Sequence, residues 1–490
     1  MEEIVINFKK KVGRLIIGKQ LKKVLAAILI VFACLTAHSQ TPIIQPKVDE
    51  RVELLSIVFR LAEAEEYMNN DIADYTKDID EYFFQFKEHE VIKYAKEIRQ
   101  TNEVAYDAVM SMAVRIEIKD GIRFNENIFP LDLDKRWGQE NADKFIKLLA
   151  QFYIESKFHD FFINHSLLYN VAEKNFNTIL SKIKFDWFQN FFGEKPNGDY
   201  NLFISLTNGG NNYGANTHFK DGRKDIFSII GTWRTDSLKN PIYSVNTIST
   251  IIHEFNHSFC NPLIDANYDK MDKQASKFFK LVSKILSQQA YDIPKIMLYE
   301  ILVRACVIKY YQNNKISENK VKSLIANEKS NGFLWIEELV NLLSNYEKNR
   351  DKYLTLNSFM PEIVNLQNKL SPKKIQKKYN SECPQIVSIN IKNNSKNIDP
   401  NLSEVVVTFN KPMNTGCNGT SYGKKGEKYF PEFRKDLKSK WDENIKNKWT
   451  FYITLKPNTE YSMSFPAQFF MDENYHFLKE TYYLDFKTKN

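Results

Sequence analysis

His253-Glu254-Phe255-Asn256-His257 is an HExxH sequence. Two histidines four apart lie one above the other on a helix face, so both imidazoles can reach one metal ion. The glutamate beside the first histidine can hold a metal-bound water and take its proton. The flanking residues predict the helix that this chemistry needs. Ser244 is suited to its N-cap and Asn261-Pro262 to its end, since a residue before proline avoids the helical region. Val245, Ile248, Ile252, Phe255 and Phe259 recur at steps of three and four, giving one apolar stripe. His253 and His257 fall on the side opposite that stripe. The bland alternative is an ordinary helix whose solvent face happens to carry these letters.

A zinc site open to water needs a third protein ligand. A third histidine six residues after His257 is absent, for position 263 is Leu263. The candidates are therefore carboxylates. Asp265 lies in a polar stretch after Pro262, while Glu300 stands in the strongly apolar segment Ile293–Tyr311, with Pro294 near its start. A carboxylate among aliphatics is costly unless paired or bound to metal. Arg304, four residues on, can pair with Glu300 or orient it as a ligand. Glu300 is the favoured third ligand and Asp265 its rival.

Upstream, Asn201–Leu206 and Asp225–Gly231 read as short strands, joined through the turn-rich loop Asn208-Gly-Gly-Asn-Asn-Tyr-Gly-Ala215. A strand just before the metal helix is where an extended peptide could add along a sheet edge. Tyr213, His218, Tyr299 and Tyr310 are each able to donate a hydrogen bond to a developing oxyanion.

From Arg51 to Gln367 the chain resembles a family of secreted bacterial proteins with an HExxH core, catalogued as a domain of unknown function and read as gluzincin-like zinc metallopeptidases. The resemblance rests on Glu53–Leu61, Tyr106–Met110, the Asn208–Gly214 loop, Ile229-Ile-Gly231, His253–His257 and Glu300-Ile-Leu-Val-Arg-Ala305. It implies Zn2+ on His253, His257 and Glu300, with Glu254 as catalytic base. It supplies no substrate.

Lys19, Lys22 and Lys23 precede the apolar run Val24–Ala37, which is too short to span a bilayer comfortably and suits a signal peptide. Ala37-His38-Ser39 offers small residues for cleavage, so the mature chain is expected to begin near Gln40 or Thr41. Cys34 fits a lipoprotein site poorly, which favours a soluble exported protein, whether periplasmic, secreted or at the cell surface. No later segment is long and apolar enough to cross a membrane. The whole chain is +8. Residues 1–40 hold +5 of this, leaving about +3, so nucleic acid is not an indicated partner. Four cysteines follow Cys34. In an oxidising compartment Cys383 and Cys417 are the better pair for a bridge, while Cys260 and Cys306 suit either a tie between the metal helices or buried thiols.

The expected fold class is α+β: a mostly helical zincin-like domain with a small sheet, followed by an all-β Ig-like sandwich. Residues 41–195 read as helices without strand rhythm, 196–370 as the catalytic core and 371–383 as a basic linker. Residues 384–490 alternate as short strands, among them Glu404–Phe409, Thr450–Leu455 and Thr481–Phe486. Asn397–Leu402, Val405–Asn414 and Leu455–Tyr461 resemble bacterial Ig-like domains of surface proteins, which implies attachment or spacing. The expected function is an exported zinc metallopeptidase acting on a peptide or protein substrate. The alternatives are a non-catalytic surface binding protein on the same scaffold, and a zinc amidase acting on a non-protein amide.

Overall fold

Helix α1 (Glu50–Leu61) carries its apolar residues almost without interruption, and Val52 through Leu61 are all buried. The Asp49 side chain accepts from the Arg51 backbone N–H and caps it, while Arg60 stands in the last turn against the helix dipole. The computed structural model describes residues 44–130, 133–196, 198–244, 246–289 and 291–490. The expected signal segment, Cys34 and Val245 of the apolar stripe lie outside the described residues.

Around α1 stand α2 (Ala73–Tyr82), α3 (Glu90–Asn102), α4 (Asp107–Ala113), α5 (Gln139–Glu155), α6 (Phe158–Asn164) and α7 (Ser166–Leu180). Phe59, Trp137 and Phe145 interlock where α1 meets α5. A short α8 (Asp186–Phe192) leads to the sheet. The expectation of no strands before residue 196 is corrected here. β1 (Pro46–Val48) and a hairpin of β2 (Ile116–Ile118) and β3 (Ile122–Phe124) interrupt the helices. Three residues are too few for an alternating pattern to stand out in a sequence.

β4 (Asp199–Ser205), β5 (Asn212–His218) and β6 (Lys224–Gly231) complete a four-stranded sheet of order β1-β4-β6-β5. β1, β4 and β6 run parallel, and β5 is antiparallel to β6. The strand just before the helix of the HExxH sequence is thus central, and the edges are β1 and β5, the latter beginning inside the segment read as a loop. Gly231 is required where the two strands meet. A Cβ there would lie 2.3 Å from the Gly209 carbonyl oxygen.

The remaining helices are α9 (Asn246–Asp265), α10 (Asp272–Ser287), α11 (Pro294–Asn313), α12 (Glu318–Ser330), α13 (Ile336–Lys348), α14 (Leu356–Lys369) and α15 (Pro372–Glu382). α9 continues through Pro262 instead of ending at Asn261. Leu263 and Ile264 are buried, and that packing outweighs the proline's missing donor. The stretch read as a linker is helical: α15 has Pro372 in its first turn, where a proline costs nothing.

The C-terminal part is all β. One sheet orders β10 (Ser421–Tyr422), β14 (Glu460–Phe465), β15 (Tyr482–Thr488) and β8 (Ser395–Ile398). The other orders β11 (Glu432–Phe433), β13 (Lys448–Thr454), β9 (Glu404–Phe409) and β7 (Ile386–Ile389), with β12 (Lys440–Trp441) also on β13. Val405, Val407, Phe451 and Ile453 of one sheet share a core with Met463, Phe465, Leu484 and Phe486 of the other. The pairing is antiparallel apart from β8 on β15. The chain as a whole is therefore α+β. Cys383 and Cys417 are free thiols, against the expected bridge. Cys383 is buried at the end of α15, whereas Cys417 is partly exposed in a turn closed on Asn414.

Candidate metal centre

Most of the apolar stripe does what its spacing predicts, although Ile248 is only half-buried. Ile252, Phe255 and Phe259 of α9 are buried, and His253, Glu254 and His257 turn to a cleft on the other side. Phe255 packs on Tyr200 at 4.1 Å between ring centres, and Phe259 stacks on Phe192 at 4.0 Å, which fixes the rotation of α9 against β4 and α8. α11 crosses α9 and brings Glu300 to the two histidines. One donor atom from each of His253, His257 and Glu300 lies within 4.8 Å of the others. The two Nε2 atoms are 3.1 Å apart, and each is 3.4 Å from a different Glu300 oxygen.

Two imidazoles and a carboxylate are the donor set that suits zinc. Glu300 is buried, and its Oε2 has no hydrogen bond of sound geometry although Arg304 Nη2 is 3.2 Å away. A buried carboxylate needs cationic neighbours, here Arg304 and His253, and a metal ion on the same oxygens would serve alike. His257 Nδ1 lies 3.1 Å from Asn261 Oδ1. With that nitrogen donating, Nε2 keeps its lone pair for a metal. The residues therefore fit a zinc ion.

The charges of these groups are strongly coupled. Burial would raise the Glu300 carboxyl, but His253, His257 and Arg304 hold it well below the usual carboxylate range. Burial lowers His253, and Glu300 beside it more than compensates, leaving it raised. Arg304 makes the expected i,i+4 pair, and more. Its guanidinium reaches Glu328 of α12 at 2.8 Å and donates to the Tyr291 hydroxyl at 3.1 Å. Phe333 lies under it at 4.7 Å.

The cleft is a cavity of about 700 Å³ between α9, β5 and the start of α11. A Cβ at Gly214 would lie 3.0 Å from Glu254 Oε2, so the β5 backbone approaches the glutamate directly. His218, at the end of β5, lines the same cleft. Tyr213 also borders it, but it alternates to the opposite face from Gly214. There burial, followed by Glu66, Tyr106 and Asp107, pushes its hydroxyl well up.

Three expectations are corrected or narrowed. Asp265 is engaged by the Tyr299 hydroxyl and by Lys295 Nζ at 2.5 Å, and it does not join the histidines. Tyr299 lines the cleft with its hydroxyl spent on Asp265. Tyr310 is not in the cleft. Its oxygen accepts from the Lys184 backbone N–H at 2.9 Å and its ring packs edge-on to Trp187, so it is a core residue. Sequence reasoning missed Asn261, Glu328 and Tyr291. Asn261 stands four residues after His257, a spacing that could have revealed it. Tyr291 and Glu328 reach the site only through the packing of α11 and α12.

Among curated proteins none matches this chain. Solved structures give only distant likenesses. Domains 1–6 of the surface layer protein SbsC are 15% identical over 46% of this chain and 33% of that one, with TM-score 0.17. The N-terminal part of the same protein is 14% identical over 46% and 57%, with TM-score 0.17. Native alpha-2-macroglobulin from Escherichia coli, spanning domains MG0-NIE-MG1, is 12% identical over 23% and 34%, with TM-score 0.16. The chain thus spans about a third of the length of the first of these, and scores so low carry no argument about fold or function. The profile of one family matches residues 44–366, which contain every residue of the candidate centre, and the chain belongs to that family, the Domain of unknown function (DUF4932).

Proposed function

We propose that the protein is an exported zinc-dependent metallopeptidase with a zincin-like core, holding Zn2+ on His253, His257 and Glu300. The observation that carries this reading is the convergence of those three side chains beside Glu254, against the edge strand β5. A bound zinc ion would polarise the scissile carbonyl and acidify a water. An extended substrate would lie along the first half of β5, its backbone pairing with the edge at Asn212 and Gly214, since the Asn216 and His218 carbonyls are already bonded by Arg115 and Phe129. Glu254 would take the proton from the attacking water and pass it to the leaving nitrogen as the amide bond breaks. Asn261 orients His257, while Arg304, held by Glu328, orients Glu300. The C-terminal β domain is read as Ig-like, serving attachment or spacing at the cell surface. Among the described residues no helix is long and apolar enough to cross a membrane.

The test combines zinc content with peptide cleavage by the Glu254→Gln variant. The expected result is about one zinc per chain in both proteins. Hydrolysis falls on the order of 10³-fold in the variant, because the base is gone while the ligands remain. Cleavage at the wild-type rate overturns Glu254 as the base. A chain that takes up no zinc on titration returns the reading to a binding scaffold.

A further inference from the structure

Cys260 lies one turn beyond His257 on α9, and Cys306 lies two turns beyond Glu300 on α11. Their sulfurs are 3.8 Å apart, and neither side chain reaches solvent. Phe259, next to Cys260 in the chain, stacks its ring on Phe192, and Tyr346, close to Cys306, is tied by its hydroxyl to the Phe191 carbonyl at 2.8 Å. The two thiols therefore face each other inside a rigid wall. A disulfide needs the sulfurs at about 2 Å, and closing the remaining gap of about 2 Å is within the reach of side-chain torsions across two packed helices.

We propose that Cys260 and Cys306 join in a disulfide that fastens the helix bearing His253 and His257 to the helix bearing Glu300. Two S–H bonds break and one S–S bond forms. The two electrons and two protons pass to an external disulfide, which leaves as two thiols. Burial pushes the Cys260 thiol well up, so it attacks poorly once the helices are docked, and the bond forms as they assemble. The link closes the chain between residues 260 and 306 and so restricts the unfolded state across the segment that joins the ligands. That it also guards the metal rests on the function proposed above.

The experiment refolds the full chain in glutathione buffers poised oxidising or reducing, then alkylates, digests with trypsin and maps the peptides by mass. Expected in the oxidised sample is the peptide Ala305–Lys309 joined to the one bearing Cys260. Both are alkylated in the reduced sample. The linked form melts about 5 °C higher, and Cys306→Ala abolishes both the linked peptide and the redox-dependent shift. Recovery of both cysteines alkylated after oxidising refolding overturns the proposal, as does a linked peptide with no melting shift. Zinc content is measured on both forms. If neither binds zinc while the linked peptide is present, the metal centre fails and the cross-link stands.

Discussion

The C-terminal β domain and the region of the candidate metal centre fill their interiors differently. In the β domain, Val405, Val407, Phe451, Ile453, Phe465 and Leu484 meet between two sheets, and its buried polar residues are few: Ser462, Ser464, Asp472 and Thr488. Beneath the N-terminal sheet and along α9 and α11, the buried set includes Glu53, Ser205, Asn208, Ser228, Asn256, Glu300 and the ion-paired Arg60. Several of these, Asn256 and Ser228 among them, have no hydrogen-bond partner. A polar group buried without a partner costs on the order of 1–3 kcal/mol. The β domain has such atoms too, on Trp441, Asn447, Trp449 and Asp485, so the difference lies in how many polar and charged residues are buried whole. The region of the candidate centre keeps charge out of water, where it interacts strongly, and relies on aromatic packing to hold it there.

The contrast can be broken at the β domain first. Phe451→Ala should destabilise that domain by about 3–5 kcal/mol through a cavity, while zinc content stays unchanged. Denaturant unfolding followed by tryptophan fluorescence measures the first, and metal analysis the second. Loss of zinc in this variant would mean that the two regions do not fold independently.

On the other side stands Glu53. Its carboxylate accepts from the Leu206 N–H at 2.9 Å and the Tyr75 hydroxyl at 2.8 Å. Burial nonetheless pushes it up to about 7 from an ordinary 4.5. The folded chain therefore binds this proton more tightly than the unfolded chain. The stabilisation is complete below the unfolded value and is lost as the pH rises through about 7, a change of about 3 kcal/mol. Glu53→Gln, whose amide can donate to Tyr75, should remove that loss. Urea unfolding of both proteins at pH 4.5 and 8 decides it, and equal slopes would clear Glu53 of the role.

Two smaller effects sharpen the site itself. Glu328→Gln weakens the hold on Arg304 and should cost about 10–100-fold in zinc affinity, read by competition with a chromogenic chelator. An unchanged affinity would make Glu328 a merely structural partner. Gly214→Ala places a methyl group 3.0 Å from Glu254 Oε2. Peptide cleavage should fall about tenfold, with zinc retained, because a misplaced base loses rate steeply. A variant as fast as wild type would show that the strand can shift away from the glutamate.

Much of the centre was legible in the residues. His253, Glu254 and His257 follow from helical spacing, and the buried stripe of Ile252, Phe255 and Phe259 sits where periodicity places it. Glu300 was legible from chemistry, as a carboxylate in an apolar helix, but its choice over Asp265 needed the crossing of α9 and α11. The end of α9 was misread because Pro262 signals a stop locally, whereas Leu263 and Ile264 find a core to fill. Tyr310 was misread because a cleft tyrosine and a core tyrosine look alike in one dimension.

By itself the sequence determined the helix of His253, Glu254 and His257 and the shared face of the two histidines, the α+β class and the change to strands near residue 384. These are local matters, set by spacing, side-chain chemistry and alternation. Tertiary structure alone decided that β5 is an edge strand, that Gly214 lies against Glu254, that Tyr291 and Glu328 serve Arg304, and that Cys260 faces Cys306. Each of these joins residues distant in the chain. Such contacts depend on how elements pack, and packing leaves no periodic trace in the sequence.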